Sequence, residues 1–110
     1  MVKFSLKSTD KGVSRYKLTE EDNVLGFSDV RENEILRFGF VSDDVRAIYS
    51  EFVLRSTVFL LRDKFDEVRT AFVDPRFARL GFKEDGKGGM RADKLHITFS
   101  GCECSAKDEK

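Results

Sequence analysis

Residues 42–75 read SDDVRAIYSEFVLRSTVFLLRDKFDEVRTAFVDP, and they decide the fold because they contain no glycine and no proline before the last residue. Ser42 can accept a hydrogen bond from a free amide of a first helical turn, and the two aspartates after it favour the positive end of the helix dipole. At the far end, Pro75 cannot donate a backbone hydrogen bond and disfavours a helical conformation at the residue before it. The stretch predicts one long helix over 43–73, about 46 Å in length at roughly 1.5 Å per residue.

The apolar side chains of this predicted helix occupy two opposite faces. At about 100° per residue, one face holds Val45, Ile48, Tyr49, Phe52, Val53 and Phe59, and the other holds Leu54, Val58, Leu61, Phe65, Val68 and Phe72. Three interpretations fit this pattern: a break into two helices near residues 55–57, one helix that contacts both a sheet and a partner subunit, or a strand within 52–61. We favour one long or kinked helix that also makes a homodimer contact.

Alternation of apolar and polar residues predicts strands on both sides of the helix. Residues 2–19 predict a β-hairpin that turns at Gly12, and shorter strands are predicted at 24–28 and 35–41. Residues 95–100 predict a final strand. The expected fold is therefore α+β: a curved antiparallel sheet of about four strands, with one long helix packed on one face.

The chain has 110 residues, of which 40% are hydrophobic and eleven are phenylalanine. This length and apolar content predict a single globular domain over 1–101, followed by a polar C-terminal tail at 102–110. Two cysteines are too few for a disulfide scaffold, and no apolar run reaches the roughly 18 residues of a membrane span. Residues 1–12 lack the apolar run of a signal peptide, so we expect a cytoplasmic protein with no membrane association.

Twenty basic and twenty acidic residues give a net charge of +0, but the charges are segregated along the chain. Residues 1–19 and 75–96 are mainly basic, whereas residues 20–34 are mainly acidic. Such asymmetry bears on partners and not on the fold. In the fold, the basic and acidic segments either lie side by side, so that their charges cancel, or form separate faces of opposite charge. Only the second arrangement suits a polyanionic partner.

An arginine recurs every seven residues at Arg55, Arg62, Arg69 and Arg76. On the predicted helix the first three would form one stripe with a spacing of about 10.5 Å. Arginine suits bidentate phosphate contacts, so the stripe could follow a nucleic-acid backbone. The alternative is a solvated face held by ion pairs between residues four apart, such as Glu51 with Arg55.

These patterns predict a small non-enzymatic protein that binds nucleic acid, either RNA or DNA, through the basic hairpin and the arginine stripe. Phenylalanines exposed on the sheet would add a stacking platform for single strands. The predicted contact residues are Lys3, Lys7, Lys11, Arg15, Lys17, Arg55, Arg62, Arg69, Lys87 and Arg91. The alternative is a protein-interaction module, an adaptor or an inhibitor, that acts through the helix or an edge of the sheet.

The chain offers few candidates for catalysis or metal binding. His96 is the single histidine, so it cannot form an acid and base pair of histidines within one chain. Cys102 and Cys104 supply two of the four ligands of a structural zinc site, which leaves open a site shared across a dimer or two incidental cysteines. The glycine-rich residues 86–89 lack the Ser or Thr that follows the lysine of a P-loop. We therefore expect no enzyme activity, no cofactor and no metal.

Overall fold

The computed structural model describes residues 2–98, which form a mixed sheet of seven strands with helices on one face. The strands are β1 (Val2–Asp10), β2 (Val13–Glu20), β3 (Asn23–Arg31), β4 (Glu34–Phe40), β5 (Glu67–Thr70), β6 (Lys83–Glu84) and β7 (Met90–Asp93). The helices are α1 (Asp43–Lys64), α2 (Pro75–Arg79) and a 3-10 turn at Lys94–His96. The strand order is β1-β2-β3-β4-β5-β7-β6. The α+β class is confirmed, but the predicted sheet of about four antiparallel strands is wrong because three further strands extend it.

Strands β1 to β4 form an antiparallel meander joined by three two-residue turns. Lys11 and Gly12 both adopt positive φ angles, of 54° and 82°, and so do both residues of the second turn. Two consecutive residues at positive φ are typical of the type I′ turn, whose twist matches that of the flanking strands. The predicted hairpin at 2–19 is therefore present, and the strands predicted at 24–28 and 35–41 correspond to β3 and β4.

Helix α1 begins where the sequence predicts. The Ser42 hydroxyl accepts a hydrogen bond from the Val45 amide at 3.2 Å and caps the first turn. The helix is continuous through residues 52–61, so a break or a strand in this segment is excluded. Thr57 fits in the apolar middle of the helix because its hydroxyl donates to the Val53 carbonyl at 2.7 Å.

The predicted helix over 43–73 is too long, because α1 ends at Lys64. The chain after it becomes extended, and β5 pairs with β4 in parallel. The Arg69 amide donates to the Asn33 carbonyl at 2.8 Å, and every second side chain of β5 is buried. Strands β4 and β5 are thus parallel strands connected by α1. Pairing with β4 stabilises β5, although no glycine or proline marks the end of the helix.

The core lies between the helices and one face of the sheet. Helix α1 packs on β3, β4 and β5. Its buried face and the facing strands contribute Tyr16, Val30, Ile35, Leu54, Val58, Leu61 and Val68. Phe77 of α2 completes the core, with the ring centroids of Phe72 and Phe82 5.6 and 5.1 Å away. The helices within residues 2–98 pack on this face, and none of them covers the opposite face of the sheet.

The strand predicted at 95–100 is wrong at its start, because Lys94–His96 forms a 3-10 turn. Along residues 2–98, the final strand is instead β7, which lies between β5 and β6 in the sheet. The three glycines at 86, 88 and 89 are typical of a flexible loop, but residues 83–91 form β6, a short loop at 85–89 and the beginning of β7. The glycines that indicated a flexible segment are confined to this short loop.

The end of the chain falls outside the described residues. The last part of the predicted strand 95–100, the predicted tail at 102–110, and both Cys102 and Cys104 lie beyond residue 98. Within residues 2–98, no helix is long and apolar enough to span a membrane.

Candidate nucleic-acid interface

The face of the sheet opposite α1, here called the open face, follows from the strand register, since paired residues point to the same side. Tyr16 and Val30 are buried toward α1, so their neighbours Arg15 and Asp29 point away from it. Arg37 pairs with Asp29 on the next strand and shares this side. Three charged side chains therefore form one row across β2, β3 and β4.

Asp29 lies at the centre of this row and binds both arginines. Its Oδ1 accepts Arg15 Nε at 2.7 Å, and its Oδ2 accepts Arg15 Nη2 at 2.8 Å and Arg37 Nε at 2.7 Å. Asp29 is 1% exposed, whereas the side chains of Arg15 and Arg37 are 40% and 59% exposed. The hydrogen bond from Arg15 is the main reason that the pKa of Asp29 is held below its ordinary value, despite the opposing effect of burial. Two guanidinium groups are thereby fixed at the surface by one buried carboxylate.

An aromatic ring fixes Arg15 from another side. The Arg15 guanidinium carbon lies 4.0 Å from the centroid of the Phe27 ring, in a cation–π contact. The ring in turn lies over Gly39, where a Cβ would overlap Phe27 Cε1 and Cζ. The open face thus carries a stack of Gly39 backbone, Phe27 ring and Arg15 guanidinium.

We expect Gly39→Ala to lower the free energy of unfolding by about 2 kcal/mol, because the new methyl group displaces the Phe27 ring from its position over the backbone. In the Phe27→Ala background the same substitution should cost at least about 1 kcal/mol less, because no ring is then displaced. Urea unfolding of the wild type, the two single variants and the double variant measures this coupling. An equal cost in both backgrounds would contradict the stacked arrangement.

A second row on the open face places three cations side by side. Arg69 of β5 pairs with Arg91 of β7, and Arg91 pairs with Lys83 of β6. All three residues are exposed. Like charges directly opposite one another destabilise a sheet. The Arg91–Glu67 ion pair at 3.9 Å and Glu34, which pairs with Arg69, oppose this repulsion. A local arrangement that costs stability is expected where the charges serve a binding function.

The open face as a whole carries more cations than carboxylates. By register its cations are Lys3, Arg15, Lys17, Arg31, Arg37, Arg69, Lys83 and Arg91. Its carboxylates are Asp10, Asp29, Glu34, Glu67 and Asp93. Eight cations against five carboxylates leave an excess of three positive charges, although the chain has a net charge of +0. The basic and acidic segments of the sequence therefore do not cancel on this surface.

The structure brings half of the predicted contact residues to the open face: Lys3, Arg15, Lys17, Arg69 and Arg91. Lys11 lies in the β1–β2 turn and lines a groove of about 490 Å³ together with Arg15 and Lys17. Lys7 lies at a bulge of β1. Lys87 lies in the loop between β6 and β7.

The predicted arginine stripe is wrong as a continuous helical feature. Arg55 and Arg62 lie on α1, whereas Arg69 lies on β5. Arg76 lies on α2. Since Arg69 points to the open face, Arg55 and Arg62 lie on the opposite side of the sheet from it. The Arg55–Glu51 ion pair of the alternative interpretation is present, at 3.5 Å.

The predicted contact residues do not include several residues of the open face: Phe27, Asp29, Arg31, Arg37 and Lys83. Phe27, Asp29 and Arg31 alternate along β3, and this spacing of two is the signal that could have found them. The predicted strand at 24–28 ends before Asp29 and Arg31. Lys83 belongs to a two-residue strand that only long-range pairing with β7 creates.

Two amides of the glycine-rich loop at 85–89 bind a side chain of the same loop. The Asp85 carboxylate accepts hydrogen bonds from the Lys87 amide at 2.7 Å and the Gly89 amide at 3.2 Å. The bond from Lys87 is the main cause of the lowered pKa of Asp85. Two amides that a phosphate would need are therefore already satisfied within the loop.

His96 lies on the 3-10 turn, and its Nδ1 is 3.7 Å from Asp93 Oδ2. Both side chains are more than half exposed. In the part of the chain that the structure describes, no group of three or more His, Cys, Asp or Glu side chains is placed to hold a metal ion.

Comparison of the chain with protein-family models gave no match, and comparison with curated proteins gave none either. The chemistry of the open face is therefore the basis for a functional proposal. Exposed guanidinium and ammonium groups bind phosphate oxygens, and aromatic or guanidinium planes stack on bases.

Proposed function

We propose that this chain is a small non-enzymatic cytoplasmic protein that binds single-stranded nucleic acid on its open face. The observation that carries the proposal is the row of Arg69, Arg91 and Lys83, three exposed cations on adjacent strands. Neighbouring strands lie about 4.8 Å apart, so the backbones that carry these three cations span about 10 Å. A phosphate backbone laid across β5, β7 and β6 would relieve their mutual repulsion.

The stack of Phe27 and Arg15 provides the second element of the proposed site. Because Gly39 lies against one face of the Phe27 ring and Arg15 over the other, a base would stack on the outward plane of the Arg15 guanidinium. Asp29 holds the Arg15 guanidinium through two hydrogen bonds, so its plane is fixed before a ligand binds. Lys17 pairs with Phe27 across the strands and would bind the phosphate next to a stacked base.

The broad open face favours a single strand over a duplex. A duplex is read by an element inserted into a groove, whereas stacking on a sheet requires unpaired bases. The cations of the open face would contact the backbone, which carries no sequence information. We therefore expect binding with little sequence preference.

The affinity for single strands should depend steeply on salt. Three to five phosphate contacts predict a slope of about −2 to −3.5 for log K against log salt concentration. Between about 50 and 200 mM salt, the affinity for an oligothymidylate of about 20 nucleotides should fall about 15- to 130-fold. Fluorescence anisotropy with a labelled oligonucleotide measures the dissociation constant at each salt concentration. A duplex of the same length should bind more weakly than the single strand. Absence of binding at low salt, or a slope near zero, would contradict the proposal.

A protein-interaction module, acting as an adaptor or an inhibitor, is a second candidate function favoured by a different surface. Ile48, Phe52 and Phe59 of α1 are large apolar side chains that remain exposed. They lie on the helical side of the sheet, away from the open face. A partner bound there through apolar contacts would stay bound at high salt, because apolar burial is not screened by ions.

A further inference from the structure

The exposed apolar residues of α1 belong to a regular stripe. Along the helix, the residues Ile48, Phe52, Arg55, Phe59 and Arg62 follow one another at alternating spacings of four and three. This alternation is typical of a helix that packs lengthwise on a second helix. The residues that α1 buries lie on its other side: Val53, Leu54, Thr57, Val58 and Leu61.

The middle of the stripe is an exposed and mainly apolar surface. Ile48, Phe52 and Phe59 are 69%, 44% and 50% exposed. Phe52 and Phe59 line a shallow groove of about 440 Å³ together with Arg55 and Ser56. Because Ser56 is small, the groove leaves room for a large side chain from a partner helix. A contiguous apolar patch of this type marks a protein contact.

The stripe is complementary to itself when a second copy lies antiparallel. Phe52 and Phe59 are equally distant in sequence from the point between Arg55 and Ser56. A two-fold axis at that point would bring Phe52 of each copy level with Phe59 of the other. A surface that matches itself under a two-fold rotation is what a symmetric dimer requires.

The charges along α1 favour the same orientation. Its first half, residues 43–53, carries Asp43, Asp44 and Glu51 against Arg46. Its second half, residues 54–64, carries Arg55, Arg62 and Lys64 against Asp63. An antiparallel copy sets the acidic half of one helix against the basic half of the other, whereas a parallel copy sets like charges together.

We propose that the outward face of α1 binds a second copy of this chain in an antiparallel arrangement, with Phe52 and Phe59 at the centre of the contact. The open face lies on the other side of the sheet. The dimer would therefore present two open faces that point away from each other. The proposal does not depend on nucleic-acid binding, and separate substitutions test the two surfaces.

Sedimentation equilibrium of the full chain tests whether it forms a dimer. Protein concentrations of about 1 to 100 µM suit an interface of modest size. The mass should rise from the 12.6 kDa of one chain toward twice that value. Phe52→Glu should weaken association at least about 100-fold and stay monomeric, because it places a charge at the centre of the contact. A wild type that stays monomeric throughout, or a Phe52→Glu dimer as stable as the wild type, would overturn the proposal.

Leu95→Glu is the matched control, because Leu95 is 89% exposed but lies on the 3-10 turn and not on α1. This variant should associate like the wild type. Circular dichroism would verify that both variants keep the helix and the sheet. Equal loss of association in Phe52→Glu and Leu95→Glu would place the contact elsewhere.

Disulfide formation tests the antiparallel orientation, in a background with Cys102→Ser and Cys104→Ser. Ser56→Cys lies next to the proposed axis, so two copies should cross-link under mild oxidation. Ile48→Cys lies about 11 Å from the axis at roughly 1.5 Å per residue, which separates the two copies by about 22 Å. A disulfide requires Cα atoms within about 7 Å, so Ile48→Cys should not cross-link. Efficient cross-linking of Ile48→Cys would contradict the antiparallel arrangement.

Discussion

Replacing Asp29 with alanine is expected to lower the free energy of unfolding by about 3 kcal/mol. The substitution removes three hydrogen bonds from charged donors on Arg15 and Arg37, each of which contributes about 1.5 kcal/mol or more. Water recovers part of this loss, because both arginine side chains are partly exposed. The remaining effect is large for a single residue because Asp29 links β2, β3 and β4 through side chains.

Urea unfolding followed by circular dichroism measures this loss, and Asp10→Ala provides the matched control. Asp10 is an exposed aspartate at the end of β1 on the same face, so its replacement should change stability by less than about 0.5 kcal/mol. If Asp29→Ala and Asp10→Ala unfold at the same urea concentration, the buried network contributes nothing to the fold.

The same carboxylate gives the fold an acid-sensitive contribution. The pKa of Asp29 is lowered mainly by its hydrogen bond from Arg15, whereas an unfolded chain has a value of about 3.9. The stabilisation is therefore fully present above about pH 4 and is lost as the pH falls through the folded-state pKa. In the Asp29→Asn variant, the free energy of unfolding should therefore fall less steeply as the pH is lowered. Part of the pH dependence should remain, because the pKa values of Asp74 and Asp85 are also lowered. Identical pH profiles of stability would contradict this assignment.

The sequence predicts the meander and the start of α1 because their signals are local. The turn at Gly12 and the alternation at 2–19 mark the first hairpin without reference to any distant residue. Ser42 followed by two aspartates marks the first turn of the helix, and the Val45 amide does bind the Ser42 hydroxyl.

The end of α1 could not be predicted in the same way, because the signal that ends it is not local. No residue between Lys64 and Glu67 breaks a helix by its own chemistry. The chain leaves the helix because Val68 is buried in the core and the Arg69 amide bonds to Asn33, 36 residues earlier. Periodicity within 43–73 therefore predicts a helix where pairing with β4 produces a strand.

The candidate site shows the same division between local and long-range signals. Arg15 and Lys17 were predicted as contacts from the basic hairpin, and alternation along one strand is enough to place them on one face. The row of Arg69, Arg91 and Lys83 depends on the pairing of β5, β7 and β6, which no local pattern reveals. Spacing by seven instead grouped Arg69 with Arg55, which lies on the other side of the sheet.

The double variant Arg69→Glu with Arg91→Glu is expected to lose at least about 100-fold in affinity for single strands. Each lost phosphate contact accounts for about tenfold, or about 1.4 kcal/mol, and the new carboxylates add repulsion. The fold should be retained because both side chains are exposed and positions 69 and 91 hold a pair of like charges in the variant as in the wild type. The variant loses the Arg91–Glu67 ion pair, whereas Lys83 gains a glutamate opposite it in place of an arginine. Circular dichroism and urea unfolding verify that the loss of binding is not a loss of structure.

The most direct test of the proposed function compares this variant with Lys64→Glu and Arg79→Glu, which make the same change in net charge on the helices. Fluorescence anisotropy with a labelled single-stranded oligonucleotide at about 50 mM salt gives the dissociation constants. We predict that the helix variant binds within about threefold of the wild type, whereas the open-face variant loses at least about 100-fold. Equal weakening of both variants, or wild-type binding by the open-face variant, would contradict a nucleic-acid interface on the open face.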